Sequence, residues 1–209
     1  MKLSRVATLL VAGTAALALV GCTADAPADT GSEATAVTST ASPVAATPAA
    51  EPTSPPESGT RANPTSVNVP VKYAEDSIWT FSVGATDADA QPEIAAENEY
   101  NEQPATARTY VTAPVHVSIE DPEAAVDGAD PWSSFMIEYV TAAGNSFDAT
   151  SCNVVLPAPG ALSDVGTMYG GAEVDLLACA QAPINDIPGG TWRISSLVDS
   201  GAFTFFVGA

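Results

Sequence analysis

Three cysteines, one histidine and a run of carboxylates over residues 87–102 are the side chains of this 209-residue chain whose types and spacing could do chemistry. A histidine acts as general base when it lies beside a serine and is oriented by a carboxylate. His116 alternates with Val115 and Val117, so on a strand it faces away from them, toward a surface or rim. No G-x-S-x-G turn accompanies it. Zinc of the His and Cys type needs three or four nitrogen or sulfur ligands, more than one histidine and an oxidised cysteine pair supply. Calcium wants several oxygens, and Asp87, Asp89 and Glu93 are the best-spaced set, as a weak site. The EF-hand pattern fails there: Gln91 stands at the third ligand position, Pro92 replaces the turn glycine and Asn98 replaces the final Glu. Scattered carboxylates permit glycoside hydrolysis, but no spacing favours it. Gly170-Gly171 and Gly189-Gly190 lack the Lys-Ser/Thr of a phosphate loop. No residue is assigned a catalytic role and no cofactor is expected.

The strongest signal is Cys22. Lys2 and Arg5 precede an apolar run over residues 6–20, which has the length of a secretory h-region and is short for a spanning helix. Leu19-Val20-Gly21-Cys22 closes it in the pattern of a bacterial lipobox: a branched apolar residue, a tolerant position, a small residue, then cysteine. Cleavage between Gly21 and Cys22 leaves a thiol to carry a diacylglyceryl group and an amine to carry a further chain. Two or more acyl chains hold a protein firmly to a membrane. Export places Cys152 and Cys179 in an oxidising compartment as an even pair, so a disulfide is the expectation, with a chain-entropy contribution of about 3–4 kcal/mol.

Residues 1–21 therefore read as a lipoprotein signal peptide. Residues 22–66 read as lipidated Cys22 and a disordered tether rich in Ala, Thr, Pro, Ser and Glu. Only two scattered valines, Val37 and Val44, interrupt it, which is too little apolar area to offset the ordering entropy. Its prolines favour extended conformations, and Thr47-Pro48 with Thr53-Ser54-Pro55 make O-glycosylation a compositional expectation. Beyond Cys22 only Arg61, Lys72, Arg108 and Arg193 stand against 25 acidic residues. Such a surface repels nucleic acid and anionic headgroups. The location expected is the outer face of the cell membrane, lipid-anchored and extending into the wall.

Residues 67–209 change character. Val67, Val69 and Val71 alternate with polar neighbours, as do Trp79, Phe81 and Val83. Further strands are predicted over 108–119, 135–140, 146–149, 152–156, 172–180, 191–198 and 203–207, with one helical turn within 162–168 and a solvated polar stretch over 87–103. Pro114 interrupts the 108–119 strand, which predicts an edge or a bulge. Ala143-Gly144-Asn145 is hairpin chemistry. Eight or nine short strands without a long amphipathic helix predict two packed antiparallel sheets. Trp79, Phe81, Tyr110, Phe135, Trp192 and Phe205 are the predicted large core residues.

Trp79-Thr80-Phe81-Ser82-Val83, Asn98-Glu99-Tyr100-Asn101-Glu102-Gln103-Pro104, Tyr110-Val111, Gly144, Cys152, Gly170-Gly171 and Cys179 follow in an order that resembles the immunoglobulin-like extracellular domain of actinobacterial lipoproteins. That group is similar in fold to a secreted immunogenic antigen of mycobacteria. The resemblance covers residues 73–209 and implies an all-β, immunoglobulin-like antiparallel β-sandwich, a high-G+C Gram-positive origin and no catalytic residues. Where the pattern would place a glycine between Pro104 and Tyr110, this chain has Ala105, Thr106, Ala107 and Arg108. The function expected is a lipid-anchored binding or interaction domain, its partner a surface protein or wall component. The rivals are a wall-active enzyme, which needs pKa-perturbed groups in a cleft, and a weak calcium-binding surface domain. A two-lobed solute-binding protein needs a longer chain with alternating helices.

Overall fold

The computed structural model describes residues 58–209. The export segment, Cys22 and residues 23–57 of the predicted tether lie outside them. The strands are β1 (Thr80–Val83), β2 (Arg108–Ser118), β3 (Phe135–Val140), β4 (Ser146–Asp148), β5 (Glu173–Pro183), β6 (Thr191–Ser196) and β7 (Phe203–Val207). One sheet has the order β1-β2-β5 and the other β4-β3-β6-β7, with every pairing antiparallel. Two short helices, α1 (Gln91–Glu97) and α2 (Pro131–Ser134), lie in the connections. Among the described residues no helix is long and apolar enough to cross a membrane.

Alternation explains the core. Val111, Ala113, Val115 and Val117 turn one face of β2 inward, and Phe135, Ile137 and Tyr139 do the same on β3. The inner faces meet at Phe81 and Phe135, edge to face at 4.8 Å, and Tyr139 packs against Trp192 at 5.1 Å. The result is an all-β antiparallel sandwich, with all six predicted large residues buried. Phe205 is buried on the outer face beside Phe203, while its neighbour Phe206 enters the core. Burial pushes the Tyr139 phenol above its ordinary pKa, and its hydroxyl donates to Ile187 O at 2.6 Å.

Among the described residues seven strands form, not eight or nine. Residues 67–71 are not a strand. Pro70 has no N–H for a ladder and Asn68 sits at φ 59°, so only Val71 bridges Phe81, and Val67 and Val69 are exposed. Residues 152–156 are not a strand either. The Asp148 carboxylate accepts the Thr150 N–H and winds Ala149–Cys152 into a 3-10 turn. The stretch read as a solvated loop holds α1, whose Ile94 is buried against the outer face of β2.

Pro114 lies in the central strand of its sheet, opposite Leu177, and not at an edge. Its carbonyl accepts the Gly84 N–H at 2.8 Å. In an antiparallel ladder the N–H of the same residue points the same way. The missing N–H therefore faces the place where β1 has just ended, and a Cβ on Gly84 would stand 2.9 Å from the proline ring. The turn of the β3–β4 hairpin carries Gly144 at φ 94°, as its chemistry predicts. Ala107 takes φ 62° in the loop where the resemblance calls for glycine.

Pairing begins before residue 67. Phe205 donates to Gly59 O, Thr65 donates to Phe205 O and Val207 donates to Thr65 O, so residues 58–66 cover the free edge of β7. Arg61 Nη2 reaches Thr141 O at 2.9 Å and Ala142 O at 2.8 Å.

Candidate functional site

The cysteines predicted to pair are bonded, Cys152 to Cys179, with Cα atoms 5.9 Å apart. The bridge does not cross between the second and sixth strands, as it does in antibody domains. It fastens the segment after β4 to β5, the outer strand of its sheet. Two hydrogen bonds flank it: Gln181 N–H donates to Ser151 Oγ at 2.9 Å, and Leu177 N–H donates to Gly160 O at 2.7 Å. A fourth tie comes from Asn101. Its Nδ2 donates to Ile94 O at 2.7 Å and Val155 O at 2.8 Å, and its Oδ1 accepts the Val155 N–H at 2.8 Å. Residues 149–160 thus form an irregular strap bound to β5 along one side.

Beside the strap, at the seam where β3 and β5 belong to different sheets, lies a groove of about 520 Å³. Phe135, Ile137, Leu176 and Ala178 of the strands line it, together with Leu156 and Leu162 from the segments between β4 and β5. Trp132 of α2 and Leu197 after β6 line it while about half exposed, at 52% and 51%. Thr150, Asn153 and Ser163 add polar groups. Asp148 is its single ionisable lining residue, and that carboxylate is already held by Thr150. A concave, mainly apolar site with a few polar groups is what small-molecule recognition uses. Sequence alone missed it, because its walls come from five separate segments.

Asn101 is the side chain whose loss tests the strap. Asn101→Ala removes three hydrogen bonds, two of them to a segment with no ladder of its own. The expected cost is about 1–3 kcal/mol, read as a lower urea midpoint. Faster amide exchange at Val155, with β3 unaffected, separates a local role from a global one.

The predicted histidine is on the outer face of the three-stranded sheet, where register aligns Ser82, His116 and Asp175 across β1, β2 and β5. His116 Nδ1 lies 2.9 Å from Asp175 Oδ1, and Nε2 lies 3.8 Å from Glu173 Oε2. Among the described residues Ser82 makes no hydrogen bond to His116, and the Asp175 side chain is 74% exposed. A serine nucleophile needs both the contact and a buried orienting carboxylate. A second hollow beside this face is lined by Ser82, Ser118 and Thr80, whose buried Oγ1 has no partner.

The weak calcium set is not gathered into one shell. Asp87 exchanges backbone hydrogen bonds with Thr112, and its Oδ1 accepts the Asp89 N–H at 3.0 Å. Asp89 Oδ1 accepts Thr109 Oγ1–H at 2.7 Å, and Glu93 is exposed in the first turn of α1. These carboxylates build the turn that docks α1 on β2. Among the described residues no group of three or more His, Cys, Asp or Glu is arranged to hold a metal ion.

No family model matches the chain, and no curated protein matches it. Among solved structures the chain is similar to the yjhA protein from Bacillus subtilis, at 11% identity and a TM-score of 0.39, over 69% of this chain and 99% of that one.

Proposed function

We propose that this chain is an exported, lipid-anchored binding protein of the cell envelope, whose β-sandwich holds a ligand without turning it over. The observation that carries the binding half is the apolar groove at the β3–β5 seam, roofed by a strap that the Cys152–Cys179 bond and Asn101 fasten down. A fold needing only stability would close such a seam with side chains. The anchoring half rests on Leu19-Val20-Gly21-Cys22 and the apolar run before it. The disulfide supports export, since such bonds persist outside reducing compartments. The finer reading, an immunoglobulin-like lipoprotein of the actinobacterial kind, rests on the motif order from Trp79 to Cys179. The acidic surface argues against nucleic acid and leaves a surface protein, a wall component or a small apolar ligand.

Two experiments test the halves separately. Cys22→Ala is expected to move the protein from the membrane fraction to the medium, because no acyl chain then holds it. Retention at the wild-type level sinks the anchoring half. In-cell crosslinking of the anchored protein, compared with a tether lacking residues 58–209, is expected to enrich a protein, glycan or lipid adduct with the full chain alone. No adduct above the tether control sinks the binding half.

A further inference from the structure

We infer that the seam groove takes one linear hydrocarbon chain of a lipid with an uncharged headgroup. The inference rests on the binding-protein reading above and names its ligand class. Size comes first. An apolar cavity of about 150 Å³ accepts one benzene, so the groove's 520 Å³ holds the equivalent of roughly three to four such rings, the bulk of one long acyl chain. Reach comes next. The lining runs from half-exposed Trp132 and Leu197 to Leu176, which is 1% exposed between the sheets. A chain can bury its methylenes along that depth and leave its head at the surface.

The groove also selects against the other apolar occupant, an extended peptide. A peptide brings N–H and C=O groups that need partners when buried. On the β5 edge, Leu177 N–H is taken by Gly160 and Gln181 N–H by Ser151. A hydrocarbon asks for no such partner. The headgroup is decided by charge. No Lys, Arg or His lines the groove, and its single ionisable residue is Asp148. A carboxylate or phosphate would meet no counter-charge on a chain of formal net charge −19. Hydroxyls would meet Thr150, Asn153 and Ser163, which are exposed and carry donors and acceptors.

The test uses the full chain with Cys22→Ala, so that the protein carries no acyl chain of its own. Native mass spectrometry and Trp fluorescence titration report binding of a long-chain monoacylglycerol and of the matching fatty acid at neutral pH. Ser163→Trp narrows the mouth from an exposed position, and Ser82→Trp on the outer face of β1, which does not line the groove, is the control. The expected result is one-to-one binding of the monoacylglycerol, weakened on the order of tenfold or more by Ser163→Trp and unchanged by Ser82→Trp. The fatty acid is expected to bind weaker by a similar factor, its charge being unpaired. Equal or tighter binding of the fatty acid overturns the proposal, as does binding that Ser163→Trp leaves intact. No binding of either acyl probe overturns it too. In that last case a crosslinked adduct still lost in Ser163→Trp keeps the binding-protein reading standing, and its absence removes both.

Discussion

Replacing both cysteines, Cys152→Ala with Cys179→Ala, is expected to lower the unfolding free energy by about 3.5 kcal/mol. The bond closes a loop of 27 residues, and for that length the chain-entropy model assigns about 3.5 kcal/mol to restriction of the unfolded chain. The folded state keeps other ties on the strap, namely Ser151 to Gln181, Gly160 to Leu177 and Asn101 to Val155. The domain is therefore expected to fold without the bond, with a lower urea midpoint. Any change in the slope of the transition reports altered compactness of the unfolded chain. The strap is the first element expected to open, because two of its remaining ties are single hydrogen bonds. A midpoint unchanged by the double substitution, or lowered further by reductant in the chain that lacks both thiols, contradicts this account. The consequence for function follows from position. Cys152 and Cys179 both line the groove, so loss of the bond loosens the wall that holds the ligand as well as the fold.

Trp192→Ala is expected to cost about 3–5 kcal/mol, the range for removing a large aromatic from a packed core. Trp192 is fully buried on β6, opposite Tyr139 of β3 and Phe206 of β7. Its ring meets Tyr139 edge to face at 5.1 Å and 68°. Its Nε1–H donates to Thr86 Oγ1 at 3.0 Å, tying the four-stranded sheet to the connection after β1 of the other. Two effects therefore add, a cavity between the sheets and the loss of a tie between them. Trp192→Phe separates them: it keeps a ring and deletes the donor, and about 1–2 kcal/mol is expected from the unpaired hydroxyl and the smaller volume. Thermal unfolding by circular dichroism reads both variants. A loss no larger for alanine than for phenylalanine would show that the cavity term is absent, and the core assignment would fail with it.

Local pattern made several elements readable. In β2 and β3 the period-two alternation places Val111, Ala113, Val115, Val117, Phe135, Ile137 and Tyr139 on the core face, and the other face of β2 is buried too where α1 covers Tyr110. The β3–β4 hairpin was legible from Gly144, since a left-handed residue is what that turn requires. The cysteine pair was legible from parity and from the export that the N-terminal residues predict. The misread segments share a different cause. Residues 67–71 alternate like a strand, but Pro70 removes a donor and only one bridge forms. Ile94 is one apolar residue in an acidic run, too weak a signal for a helix, and it is held by Tyr110 and the Cys152–Cys179 pair from distant parts of the chain.

Pro114 is the sharpest instance. Its chemistry predicted an edge or a bulge, and it lies in a central strand instead, with its missing N–H turned to the place where β1 has ended. Which strand supplied that place was decided by the length of β1, and so by tertiary pairing.

An all-β sandwich, its disulfide and the core-facing residues of its strands are written along the chain, because side-chain period, turn residues and cysteine count are properties of neighbours. That Asp87 and Asp89 serve a turn, that His116 meets Asp175 at an exposed face, and that an apolar groove opens beside the disulfide are set by the folded arrangement. Those outcomes depend on which segments β5 and β3 bring side by side, and no spacing within one segment encodes that juxtaposition.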